Sequence, residues 1–263
     1  MAILESQPKT SLGWVKECIA LFKQSPRRWF VLALVYVLFF MMIPSTPGLQ
    51  FFAVITMLCW PLFMAAAALL YQAEDTKNLL TISQLLAKLQ PKLKPLLWLG
   101  LGCLVYVIAV SFLIESDAQA LQMATQAKPK MTEAEAMQAM KDMLPLVLKV
   151  AVFLIPMLMA TWFSPMLIVQ NNYAVFKAVK SSVAGSLQYF VALIGTWLLL
   201  IMGIAAAILV LSIVLGLIGA VVPMAAKLMT PMLVFGILLI ATALMFAFQY
   251  ISYRDVFRAA PQD

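Results

Sequence analysis

No charged side chain interrupts the chain between Tyr189 and Lys227. Few environments can absorb such a run. A soluble domain is about 25% charged and roughly half apolar, whereas this chain is 11% charged and 64% hydrophobic, with a mean hydropathy of +0.99. One water-soluble core cannot hide that much apolar surface. The imbalance excludes a soluble enzyme, a disordered chain and a disulfide-rich secreted module. What remains is an all-α polytopic membrane protein.

A helix needs about 20 apolar residues to cross roughly 30 Å of hydrocarbon. The uncharged runs and the breaks between them predict six transmembrane helices within one integral membrane domain, at about 26–43, 51–71, 96–114, 144–169, 189–222 and 232–250. The first run is short, and Pro26 at the first helical position lengthens it. It reads as a retained span, because strong apolarity begins only at Trp29 and no small-residue cleavage pattern follows. The fifth run would measure about 50 Å as one straight helix. It could tilt, break at Gly216 and Gly219, pass beyond the bilayer, or form two spans. Charge placement favours one. With six spans, one face receives Lys9, Lys16, Lys23, Arg27, Arg28, Lys77, Lys88, Lys92, Lys94, Lys177, Lys180, Arg254 and Arg258. The other receives Lys128, Lys130, Lys141 and Lys227, with Lys149 just inside the fourth run. Basic residues concentrate on cytoplasmic loops, so both termini are expected in the cytoplasm.

Segment 115–143 becomes the largest external loop. Thr132 stands as an N-cap before a run of helix formers, which predicts a short helix outside or on the outer interface. On the cytoplasmic side Leu12–Pro26, Leu79–Pro91 and Tyr173–Leu187 look alike. Each is an amphipathic stretch, with lysine opposite its apolar face, that leads into a span. These predict interfacial helices. Two readings stay open: an internal repeat used three times, or the common appearance of helices entering a membrane.

Groups that carry chemistry are scarce. The chain has no histidine, and no acidic residue falls inside a predicted span. Intramembrane Asp, Glu and His are the usual coupling groups of carriers, so a proton-coupled carrier is disfavoured. A channel built on carbonyls and hydroxyls stays open. Cys18, Cys59 and Cys103 lie far apart, and the methionines are scattered without a cluster. Neither pattern holds a metal, and no cofactor is expected. Lys149 reads either as an anion or headgroup contact or as a lysine that snorkels to the interface. In the fourth span Ser164 and Pro165 precede Asn171 and Asn172. Pro165 removes a helix hydrogen bond, which leaves either a cavity wall or a kink closed by neighbouring helices. Lys149, Ser164, Pro165, Asn171 and Asn172 are therefore the candidate cavity or kink residues. Aromatic and basic residues meet in Arg27, Arg28 and Trp29 and again in Tyr253, Arg254 and Asp255, which are the candidates for lipid-headgroup or interface contact. Because the basic residues flank apolar runs, anionic lipid and not nucleic acid is the expected partner.

Two strings carry a family resemblance. Phe163-Ser-Pro-Met-Leu-Ile-Val169 precedes an amphipathic helix, and Tyr253-Arg-Asp-Val-Phe257 follows the last span. The chain resembles uncharacterised six-pass bacterial inner-membrane proteins that end in a Tyr-Arg-Asp-Ile/Val-Phe motif. Those are distantly similar to the membrane domain fused to some glycerophosphodiester phosphodiesterases. The resemblance implies a bacterial inner membrane, six spans with interfacial helices, and a role for Arg254-Asp255 in docking the C-terminal tail. It implies no activity, since the metal ligands of the phosphodiesterase domain are missing here. The expectation is a non-enzymatic membrane protein that binds lipid or a membrane-protein partner, a second copy included. The alternative is a transporter or channel for a small or amphipathic substrate.

Overall fold

The computed structural model describes residues 10–126 and 133–257, and the regular structure among them is helical throughout. Three helical hairpins, each led by a short amphipathic helix, make up the fold. Helix α1 (Ser11–Gln24) leads α2 (Pro26–Tyr36), which continues through a π-helical stretch, Val37–Met42, into α3 (Ile43–Ser45). The chain turns at Gly48, whose φ of 85° suits glycine, and returns as α4 (Phe52–Asp75). Helix α5 (Ile82–Leu89) leads α6 (Leu93–Gln126) and α7 (Glu133–Thr161), with α8 (Ser164–Gln170) completing the second hairpin. Helix α9 (Val175–Gln188) leads α10 (Phe190–Val221) and α11 (Pro223–Phe257). Six helical stretches are long and apolar enough to cross a membrane. The chain is an all-α, multi-pass membrane protein.

Local chemistry sets the boundaries. The Thr10 hydroxyl accepts from the Gly13 N–H at 3.3 Å and caps α1. Thr81 and Gln84 form a reciprocal capping box at the start of α5. Helix α4 closes at Lys77, held in the left-handed region at φ 54°. There the Asn78 N–H reaches the Ala73 carbonyl at 2.8 Å and the Lys77 N–H reaches Glu74 at 3.0 Å. This pairing recovers carbonyls that a helix end leaves orphaned.

Two expectations resolve into something simpler. The long fifth run is one continuous helix of 32 residues, unbroken at Gly216 and Gly219. At 1.5 Å per residue it is about 48 Å long. Segment 115–143 holds no separate outer helix among its described residues: α6 runs on to Gln126 and α7 begins at Glu133. Alanine, glutamate, glutamine and methionine favour helix there, so each span is simply prolonged. Thr132 and its proposed cap lie outside the described residues.

The three units pack in a ring. Each amphipathic helix sits on the closing helix of the preceding hairpin: α5 on α4, α9 on α7 and α8, and α1 on α10 and α11. The opening helix of each hairpin should then meet the closing helix of the hairpin before it. Helix α6 packs closely on α4 in this way, and α2 packs on α11. Among the described residues, α7 and α10 do not pack closely in this way. The ring is closed at two seams and open at the third.

Both ends of the described chain meet at one end of the bundle, called here the base. The core lies at that end, and its largest buried side chains include Trp14, Trp29, Tyr71, Tyr250 and Tyr253. Helix α1 is drawn into the core by Trp14, Cys18 and Leu21, which share one helical face. Helices α5 and α9 keep apolar side chains outward instead, notably Ile82 and Phe176, at 79% and 82% exposure. Away from the base, the far halves of α10 and α11 expose Leu209, Ile213, Leu217 and Val234. Such a surface suits hydrocarbon and not water.

Candidate functional site

The base is tied by ion pairs centred on Arg254. Its Nη1 donates to Asp75 Oδ2 at 3.0 Å, its Nε donates to Asp255 Oδ1 at 3.0 Å, and its Nη2 pairs with Glu17. The guanidinium fork is shaped for several carboxylates at once. Tyr250 donates to the same Asp75 oxygen at 2.8 Å, and the Trp14 indole donates to Asp255 Oδ2 at 2.9 Å. One cluster therefore joins α1, α4 and α11, the last helix of each outer hairpin and the lead helix of the first. A second tie lies beside it. Glu74 accepts from Ser25 at 2.5 Å and from Arg28 at 2.9 Å, which anchors the start of α2 to the end of α4. Burial, aided by the neighbouring Glu17 charge, pushes the Cys18 thiol up to about 12, so it stays protonated and unreactive.

Above the base, the second hairpin is broken between Thr161 and Ser164. Pro165 opens α8 in a position that tolerates its missing N–H. The carbonyls around the break find side-chain donors: Met159 accepts from Ser182 at 2.7 Å, Ala160 from Ser164 at 2.5 Å, and Trp162 from Gln249 at 2.7 Å. Ser182 also accepts from the Phe163 N–H at 3.0 Å. The break is a kink closed by α9 and α11.

Next to this break lies a cavity of about 320 Å³. Its walls come from five helical elements and the break: Tyr36 and Met41 on the first span, Trp60 on α4, Thr161 on α7, Trp162 in the break, Trp197 on α10, and Thr242 and Gln249 on α11, among others. Thr242 lies 12 residues before Arg254, or about 18 Å above the base at 1.5 Å per residue. That is about half the thickness of a roughly 30 Å hydrocarbon layer. Among the described residues, no charged side chain lines the cavity. A smaller chamber of about 110 Å³ adjoins it in the open seam between α7 and α10. The two share Leu158, Trp162 and Trp197, and the two indole rings stand 6.2 Å apart between them. The outer chamber is lined by Ile155, Phe190 and Ile194, each more than 40% exposed on the flank of the bundle.

The candidate residues read from the sequence divide sharply. Trp29 does not face a headgroup. It is 2% exposed, stacks on Tyr71 at 3.8 Å and donates to the Leu21 carbonyl at 3.1 Å. Tyr253 is also buried, and its hydroxyl donates to Asn171. Arg254 and Asp255 belong to the base cluster, and Arg28 to Glu74. Arg27 lies exposed at the start of α2. Lys149 lines neither chamber. It pairs with Asp117 at 2.5 Å, across α6 and α7, about seven turns beyond the start of α6. Ser164 and Pro165 make the kink, while Asn172, at φ 56°, turns the chain out of α8. None of these five residues lines the cavity. The residues that do were not singled out from the sequence. Gln249 carried the clearest signal, being an amide inside the otherwise apolar last run.

The two strings behind the family resemblance meet in space. Phe163 and Phe257 stand edge to face at 5.2 Å, and Tyr253 stacks beside Phe257 at 5.7 Å. The class defined by this architecture is a multi-pass helical membrane protein with a central cavity. No family model, curated protein or solved structure matches the chain.

Proposed function

We propose that this protein is a non-enzymatic component of a bacterial inner membrane that binds a lipid within its helical bundle. The observation that carries the reading is the uncharged, aromatic-walled cavity beside a seam open on the bundle's flank. Ligand sites are concave, mostly apolar and furnished with a few polar groups, and a ligand reaching this one through the seam comes from the hydrocarbon. The lining offers hydroxyls, an amide, indoles and thioethers, without the paired nucleophile and base that covalent catalysis needs. The base carries Lys16, Lys23, Arg27, Arg28, Lys88, Lys92 and Lys94, which favours a cytoplasmic base and hence cytoplasmic termini. The family resemblance fits the same assignment.

A second reading, transport of the same amphipathic molecule, draws on the cavity's height between the three hairpins. Native mass spectrometry of the protein released from native-membrane nanodiscs tests the main reading. A retained lipid at fixed stoichiometry is the expected result. A bare polypeptide, or a stoichiometric protein partner without lipid, would overturn it, and flux into liposomes would then decide on transport.

A further inference from the structure

The opening of one seam in an otherwise closed ring has a local cause. Seven residues beyond the first residue of α2, α6 and α10 stand Ala33, Gly100 and Trp197 respectively. The registers correspond, since the buried Leu96, Leu99 and Cys103 of α6 match the buried Leu193, Thr196 and Leu200 of α10. Ala33 is fully buried where α2 packs on α11. Gly100 lies so close to α4 that a Cβ there would collide with the Leu58 carbonyl. Small residues let helix backbones approach in this way. At the third seam the same place holds an indole, which keeps α10 off α7 and forms a wall of both chambers.

Resting on the lipid-binding reading, we propose that the α7–α10 seam admits a neutral, hydroxyl-bearing lipid whose polar end is recognised by Thr161, Thr242 and Gln249. The threonine hydroxyls donate to their own helices, Thr161 to Met157 at 2.7 Å and Thr242 to Leu238 at 2.8 Å. Their oxygens remain able to accept. Gln249 gives one amide hydrogen to Trp162 and keeps further bonding capacity. An alcohol both donates and accepts, and so matches this wall. A phosphate does not, because no lysine or arginine among the described residues lines either chamber and an unpaired buried charge is strongly disfavoured. The aromatic side chains of Tyr36, Trp60, Trp162, Trp197 and Phe246 supply the surface for an acyl chain.

The test uses the full chain in phosphatidylcholine nanodiscs, carrying Trp98→Phe to remove an indole that is 58% exposed outside the cavity. Two probes with the same dibrominated acyl chain are titrated, a monoacylglycerol and a lysophosphatidic acid, and tryptophan quenching is read. Saturable quenching by the monoacylglycerol at about fivefold or more lower concentration than by the phosphate lipid is expected. The Thr161→Val/Thr242→Val variant, with its thermal unfolding unchanged, should weaken the monoacylglycerol about three- to tenfold, the scale of one or two hydrogen bonds. Equal or tighter binding of the phosphate lipid overturns the proposal and leaves lipid binding standing, as does an unaltered affinity in the folded double variant. No saturable quenching by either probe overturns both.

Discussion

Replacing Arg254 with methionine should loosen the base of the bundle and little else. The guanidinium is 23% exposed, and the side chains of Glu17, Asp75 and Asp255 are 34%, 27% and 17% exposed. Breaking a fully buried ion pair costs about 3–5 kcal/mol, while an exposed pair contributes up to about 1 kcal/mol. The partial solvation here places the loss between these limits, at about 2–3 kcal/mol. Methionine fills a similar volume, so most of that loss comes from leaving three carboxylates together without their cation. Neutralising one of them should therefore recover part of it. Arg254→Met combined with Glu17→Gln should be more stable than Arg254→Met alone, with a coupling above about 0.5 kcal/mol. Arg254→Lys should lie between wild type and Arg254→Met, because an ammonium cannot present a planar fork to three partners. Thermal unfolding in mild detergent, followed by tryptophan fluorescence, measures these proteins together with Glu17→Gln alone, which closes the cycle. Trp14 reports on the cluster directly through its bond to Asp255. An Arg254→Met protein within about 0.5 kcal/mol of wild type, or a double variant that recovers nothing, would refute the reasoning.

The remaining expectations concern packing and reactivity. Gly100→Val should destabilise by about 1–3 kcal/mol through overpacking against Leu58, whereas Gly102→Ala, with open space at its Cβ, should be neutral or stabilising by up to about 1 kcal/mol; the same unfolding assay separates them. Trp29→Ala should cost about 3–5 kcal/mol by emptying a buried site and removing the Tyr71 stack, and a loss below about 1 kcal/mol would return Trp29 to the membrane interface. Cys18, buried and with its thiol pushed up to about 12, should resist maleimide at pH 8 in the folded protein and react on denaturation, as peptide mass spectrometry would record. Because burial raises the value, the reactive thiolate is scarce at every pH below about 12.

The six spans were legible because hydrocarbon thickness imposes a length that apolar runs must meet, and those runs stand out in one dimension. The limits of the long helices were less so. Segment 115–143 is polar enough to read as a loop, yet its helix formers simply continue α6 and α7. The pairing of aromatic with basic residues at Trp29 and Tyr253 signalled a membrane boundary, but the same pattern arises when a buried ring and an ion pair share a helix end. Arg254 shows why. Its partners Glu17 and Asp75 are 237 and 179 residues away in sequence, and no spacing rule links them. The cavity was hidden for the same reason. Trp60, Trp162, Trp197 and Gln249 come from three helices and the break after α7, and each reads alone as ordinary apolar packing or an isolated polar residue. The π-helical stretch Val37–Met42 left no mark in sequence either.

The most direct test of a lipid seated between α7 and α10 is photocrosslinking from the bilayer. A monoacylglycerol with a diazirine along its chain would be incorporated into nanodiscs with the wild-type protein, irradiated, and its adducts mapped by peptide mass spectrometry. The account predicts adducts concentrated on the cavity and seam, at Leu158–Trp162, Ile194–Trp197 and Thr242–Gln249, and competed by unlabelled monoacylglycerol. Adducts spread evenly over outward-facing residues such as Phe112, Val191 and Leu209, without competition, would contradict it.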